Sequence, residues 1–298
     1  MPELPEIEAV CKSLAPCIEF KTISSAHVNN LNCLQNIDSS TLESSLSGKT
    51  IVQLSRRGKY LIFLLQDGSR LIMHFALTGE LCVCNTDNVT SSMLTIKLCD
   101  GAIIHLIDYR TFANVWFIKP IAFGITGVLD KLGPEPLSDG FTLEYLIKKC
   151  KLSTDTIKGL LMNQYAIAGI GNCYADEILY SSAILPDRKA DSLNDNEYLL
   201  LFNNIKTVLS EFIEFCLSSS MHEFRFSSFE EAVRHKCLVH ARKICPVCKS
   251  PLHTKKISGR NSTFVRIVSD KGDLIMTIEE AAYNATVTTF CFFFLVLF

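Results

Sequence analysis

The chain has 298 residues, 48% of them apolar, a formal net charge of −2 and a pI near 6.4. This length and apolar content suit two medium-sized cores, and the near-neutral charge excludes attraction to a polyanion by bulk charge, leaving local patches to do so. Thirteen cysteines, an odd and scattered set with no basic-then-apolar leader before them, favour a reducing, intracellular compartment over a disulfide framework.

The first element is a helix. Leu4, Ile7, Val10, Cys11 and Leu14 recur at helical spacing between Pro2 and Ile18. Its tip is chemically unusual. Loss of Met1 exposes the secondary amine of Pro2, which can attack a carbonyl-type carbon and form an imine, with the Glu3 carboxyl beside it to pass protons. The other reading is structural, because proline and glutamate both favour a first helical turn.

Ile51–Leu65, Arg70–Cys84, Ser92–Leu98 and Ile103–Ile118 follow, rich in β-branched and aromatic residues and punctuated by Asp67-Gly68 and Asp100-Gly101. They predict an antiparallel β-sandwich. Leu132-Gly133-Pro134-Glu135-Pro136-Leu137 then breaks regular structure, and Leu143–Lys149, Thr156–Asn163, Cys173–Ser182 and Asn194–Cys216 read as helices. Ala168-Gly169-Ile170-Gly171-Asn172 is a glycine-rich turn opening the third of these, a place where helix amides can meet phosphate. Between Phe229 and Arg260 eight basic residues face only Glu230 and Glu231, a local cationic stretch. Cys245-Pro246-Val247-Cys248 has the spacing of half a zinc ribbon. The apolar run Phe290–Phe298 falls short of the about twenty residues a bilayer span needs, so no membrane association is expected.

Taken in order, these segments resemble the formamidopyrimidine-DNA glycosylase / endonuclease VIII family over about residues 1–265: the opening Met1-Pro2-Glu3-Leu4-Pro5-Glu6, Arg56-Arg57-Gly58-Lys59-Tyr60, His74-Phe75-Ala76-Leu77-Thr78-Gly79, Asp108-Tyr109-Arg110-Thr111-Phe112, the turn at Asn172, and Gly259-Arg260-Asn261-Ser262-Thr263-Phe264. The resemblance implies an α+β fold: an N-terminal antiparallel β-sandwich with an N-terminal helix, then a helix-two-turn-helix domain ending in a β-hairpin finger. The expected division is a catalytic domain at 1–120, a linker at 121–141, the helical domain at 142–228, a degenerate finger at 229–270 and a tail at 271–298. DNA is expected in the cleft between the domains.

By the same resemblance Pro2, Glu3 and Lys59 are catalytic, Glu6 and Glu177 support the active site, and Asn172 and Arg260 contact phosphate. Leu77, Arg110 and Phe112 fill the space left by an extruded nucleotide, although Leu77 and Phe112 would serve equally as buried strand residues. Thr111 stands where a second arginine is common. A glycine-free loop around Phe224–His240 leans towards oxidised pyrimidines and ring-opened purines.

The metal site departs from the pattern. After the spacer a ribbon requires, the second ligand pair falls on Val265 and Val268, which cannot bind zinc, so no cofactor is expected. Cys237, His240 and His253 remain as substitute ligands alongside Cys245 and Cys248 if zinc is retained after all. The expected protein is a monomeric bifunctional DNA glycosylase and abasic-site lyase of base excision repair, acting on double-stranded DNA with oxidised bases or abasic sites through a Pro2 Schiff base. The alternative is a damaged-DNA-binding protein without turnover.

Overall fold

The computed structural model describes residues 1–87, 89–120, 127–219 and 227–265. The chain forms two compact units, Met1–Gly133 with Ser210–Val233, and Pro134–Leu209 with the residues from Arg234 onward.

The first unit opens with α1 (Leu4–Ile18), whose Leu4, Ile7, Val10, Leu14 and Ile18 are buried on one stripe. Eight strands follow: β1 (Ile23–Val28), β2 (Ile51–Arg57), β3 (Tyr60–Leu65), β4 (Arg70–His74), β5 (Glu80–Cys84), β6 (Ser92–Leu98), β7 (Ile103–Ile107) and β8 (Asn114–Ile118). They pair antiparallel in two four-stranded sheets, β1-β6-β7-β5 and β2-β3-β4-β8. α1 packs on β2 and β3. The other face of that sheet is covered as well: Leu129 packs on Ile62 and Ile72 with Tyr60 and Trp116 around them. Burial on both faces explains why Leu71, Ile72 and Met73 form a continuous apolar run rather than an alternating one.

Two elements of this unit escape periodicity. β1 is polar along most of its length, as an edge strand is, and α2 (Ser39–Leu46) is serine-rich and buries only Leu42 and Leu46. α2 is specified by its cap, with Asp38 accepting the Thr41 amide at 2.9 Å.

The second unit contains α3 (Leu143–Lys151), α4 (Ile157–Met162), α5 (Asn172–Ser181) and the hairpin of β9 (Leu252–Ile257) and β10 (Arg260–Val265). α6 (Asp195–Ser218) spans the chain boundary at Ser210, and α7 (Ser227–Lys236) follows it. The expected loop around Phe224–His240 is therefore helical over its described centre; Ser227 to Lys236 contains neither glycine nor proline to stop a helix. The terminal run at Phe290–Phe298 lies outside the described residues. Among those described, no helix is long and apolar enough to cross a membrane.

Candidate active site and nucleic-acid interface

Pro2 immediately precedes α1. Glu3 is the N-cap of the helix, only 3% exposed, and forms a reciprocal capping box with Glu6: the Glu6 carboxylate accepts the Glu3 amide at 2.9 Å and the Glu3 side chain accepts the Glu6 amide. Glu3 and Glu6 thus position each other, and Pro2 stands directly before the capped first turn of α1.

Lys59 lies in the two-residue turn Gly58-Lys59 between β2 and β3, where Arg57 pairs with Tyr60. Gly58 has a φ of 56°, which a side chain would resist. Lys59 is buried, and Arg56 explains how the turn is held. Its guanidinium donates to the Gly58 carbonyl at 3.0 Å and to the Glu8 carboxylate of α1 at 2.7 Å. Arg56 thus straps the helix that carries Pro2 to the hairpin that carries Lys59, and Glu19 at the end of α1 adds a second link by accepting the Leu54 amide at 2.7 Å. Burial works against the charge on Glu8, but Arg56 and Lys12 hold its carboxyl below the usual range. Across the hairpin His74 pairs with Tyr60, and its Nδ1 accepts the Ala76 amide at 3.3 Å. Burial, aided by the positive charge of Lys59, lowers its pKa to about 4, so the imidazole is neutral at pH 7.

Leu77 and Phe112 are 41% and 46% exposed, which removes the reading of them as buried strand residues. Their loops are organised by Asp108, which the sequence reading passed over. Asp108 is buried and accepts the amides of Arg110, Phe112 and Ala113 and the Thr78 hydroxyl, at 2.6 to 2.9 Å. Burial opposes its charge, yet these donors hold the carboxyl below its ordinary range. One carboxylate therefore sets both the loop of Arg110 and Phe112 and, through Thr78, that of Leu77. The Arg110 guanidinium lies 5.1 Å over the Phe112 ring. Thr111 sits in the left-handed region at φ 58°.

In the second unit, α4 and α5 are joined by two turns that Gln164 staples. Its amide donates to the Ile170 carbonyl at 2.6 Å, and its oxygen accepts the Gly169 amide at 2.8 Å. The sequence reading missed Gln164 as well. Gly171 is the N-cap of α5 and brings no side-chain cap, and the buried Oδ1 of Asn172 has no hydrogen-bond partner among the described residues. A buried acceptor left unsatisfied costs about 1–3 kcal/mol, and sites of ligand contact are where such atoms persist.

Glu177 accepts the amides of Leu238, Val239 and His240 at 2.7, 3.0 and 2.7 Å. Burial pushes its carboxyl up against the pull of those three donors. Its structural part is thus to pin the segment that follows α7. Beside it is a buried hub: Lys158 donates to Asp176 at 2.6 Å and to the Asn261 carbonyl at 3.3 Å, while the other Asp176 oxygen meets His240 Nδ1 at 2.8 Å. Asn261 belongs to β10, so this hub fixes the hairpin whose first β10 residue is the exposed Arg260. The hairpin tip, Ser258-Gly259, has φ of 46° and 78°, as a tight two-residue turn with both residues left-handed requires.

Among the described residues, those around the hairpin are not gathered round a metal position. Cys245 is buried and Cys248 half-buried, Val265 ends β10, and Val268 lies outside the described residues. The alternative ligands are engaged separately: Cys237 touches Cys173, His240 binds Asp176, and His253 packs near Phe264. Among the described residues no group of three or more histidine, cysteine or acidic side chains is placed to hold a metal. In the hairpin Phe264 and Val265 are half-buried and Ile257, Ser262 and Thr263 are buried, and the hub holds β10 by its polar groups, the Asn261 carbonyl and the Thr263 amide.

A sandwich with a lysine-tipped hairpin and an anchored terminal proline, together with a helix-two-turn-helix unit and a hairpin finger, defines a DNA glycosylase. The family model for the formamidopyrimidine-DNA glycosylase N-terminal domain matches residues 1–115, and that for the formamidopyrimidine-DNA glycosylase H2TH domain matches residues 132–223. The formamidopyrimidine-DNA glycosylase of Pelotomaculum thermopropionicum is 32% identical over 274 residues, covering 89% of this chain and 97% of its own. That of Carboxydothermus hydrogenoformans is 33% identical, covering 89% and 98%. Among solved structures, wild-type Lactococcus lactis Fpg (MutM) bound to DNA containing N7-benzyl-Fapy-dG matches with a TM-score of 0.79 at 29% identity, covering 89% of this chain and 98% of that one. A complex of the same enzyme with abasic-site DNA gives 0.78, also at 29%, covering 88% and 97%. The chain belongs to the formamidopyrimidine-DNA glycosylase / endonuclease VIII family, and its function is that of a DNA glycosylase in base excision repair.

Proposed function

We propose that this enzyme excises oxidised and ring-opened bases from double-stranded DNA and then nicks the strand through a Schiff base on Pro2. The reading rests chiefly on the Glu8–Arg56–Gly58 strap, which ties the helix bearing Pro2 and Glu3 to the turn bearing Lys59. Once Met1 is removed, the neutral Pro2 amine attacks C1′ of the damaged nucleoside. The glycosidic bond breaks, its electron pair leaves with the base, and Lys59 supplies the proton the base requires. Glu3 passes protons as the sugar ring opens and the C1′=N imine forms. The imine makes the C2′ hydrogen acidic; its loss expels the 3′ phosphate, and a second elimination expels the 5′ phosphate.

Leu77, Arg110 and Phe112 take the space of the extruded nucleotide, Asn172 and Arg260 hold phosphates, and Glu6 and Glu177 support the framework around them. The bound DNA of the Lactococcus lactis relative supports the choice of partner. We further infer that the finger works without zinc, because its remaining donors do not converge.

Borohydride tests the mechanism. The Met1-processed enzyme with abasic-site DNA should leave a covalent adduct at Pro2, since borohydride reduces the imine to a stable amine. Glu3→Gln should lower excision by about two powers of ten while duplex binding persists. A processed enzyme that excises bases but never traps would overturn the Schiff-base route.

A further inference from the structure

Cys173, in the first turn of α5, and Cys237, just beyond α7, bring their sulfurs to 3.5 Å from each other. Cys237 is wholly buried and Cys173 partly exposed. Neither belongs to the machinery assigned above. The Cys237 carbonyl accepts from the Arg242 guanidinium, and the next three amides are held by Glu177. Cys173 sits instead at a helix start whose N-cap, Gly171, brings no side-chain cap, and it is the immediate neighbour of Asn172.

We propose that Cys173 and Cys237 form a peroxide-driven disulfide that loosens the hold of this enzyme on DNA. The exposed partner reacts first: the Cys173 sulfur attacks hydrogen peroxide, the O–O bond breaks, and a sulfenic acid and one water result. The Cys237 sulfur then attacks the sulfenyl sulfur. The S–S bond forms, the S–O bond breaks, and the leaving hydroxide takes the thiol proton as a second water. Two thiols lose two electrons together and one peroxide gains them.

A disulfide requires the sulfurs at about 2.05 Å, so the pair must close by about 1.5 Å. Closure on the Cys173 side displaces its immediate neighbour Asn172, and the proposal is that the movement is taken up there. The effect on DNA rests on the phosphate role proposed for Asn172, whereas the disulfide itself does not.

The test uses the full-length reduced enzyme, treated with hydrogen peroxide and mapped by mass spectrometry with and without dithiothreitol. A reducible cross-linked peptide pair containing Cys173 and Cys237 is expected, together with about tenfold weaker binding to abasic-site DNA, the loss of one charge-assisted contact. Dithiothreitol should restore binding. Cys173→Ser and Cys237→Ala should each bind like the reduced enzyme and ignore peroxide; having two variants guards against a folding defect in either. A cross-link between Cys245 and Cys248 alone, unchanged binding by the cross-linked enzyme, or peroxide sensitivity that survives in both variants would overturn the inference. Failure of the reduced enzyme to bind DNA would strike the function proposed above and leave peptide mapping to decide this one.

Discussion

Asp108 and His74 show how single side chains set this site without touching substrate. Removing the Asp108 carboxylate strands three loop amides and the Thr78 hydroxyl, so Asp108→Ala should cost about 3 kcal/mol in a denaturant titration and lower excision more than duplex binding. His74 predicts a pH dependence whose sign follows from its lowered pKa. The unfolded histidine binds a proton below about pH 6.5 while the folded one resists until about 4, so the unfolded state gains protons first and stability falls across that window on acidification. Above it the residue contributes no pH dependence. His74→Gln should flatten that part of the profile by about 3 kcal/mol, measured as the change in unfolding free energy between neutral pH and pH 4.

At the scale of elements, what matters is which polar links hold each piece of the site. The finger hairpin is joined to α4 and α5 by Lys158 and Asp176, a pair with no exposure at all. Breaking a buried pair leaves an uncompensated charge, whereas replacing both members can be nearly neutral. Lys158→Met should therefore destabilise the second unit by about 3 kcal/mol and weaken DNA binding through Arg260, and Lys158→Met with Asp176→Leu should recover most of that stability. Thermal unfolding of the two variants decides it; equal losses in both would show that the hub matters by packing alone. The helix-two-turn-helix link is similar in kind, since the glycines that permit its turns are visible in the sequence while the Gln164 staple that selects them is not.

For the whole molecule, the zinc-free finger proposed above, supported by the lack of a convergent donor set among the described residues, predicts that the purified enzyme contains less than one zinc per chain and keeps its excision activity in a chelator. Metal analysis alongside the activity assay checks this. One tightly held zinc, lost together with activity, would redirect attention to the residues beyond Val265.

The sequence by itself determined the family and the sandwich followed by helices, and it supplied the Pro2-Glu3 motif on which the proposed chemistry rests, because these depend on local pattern: strand and helix periodicity, turn glycines, and the order of motifs along the chain. It left Leu77 and Phe112 ambiguous between core and surface, since an apolar residue in a strand-rich stretch has the same pattern in either place. It was silent on Asp108, Gln164, Arg56 and the Lys158–Asp176 hub, whose roles come from partners brought together by folding. It predicted a loop where α7 forms. Only the tertiary structure decided these points, because burial and hydrogen bonding between distant segments carry no periodic signature along the chain.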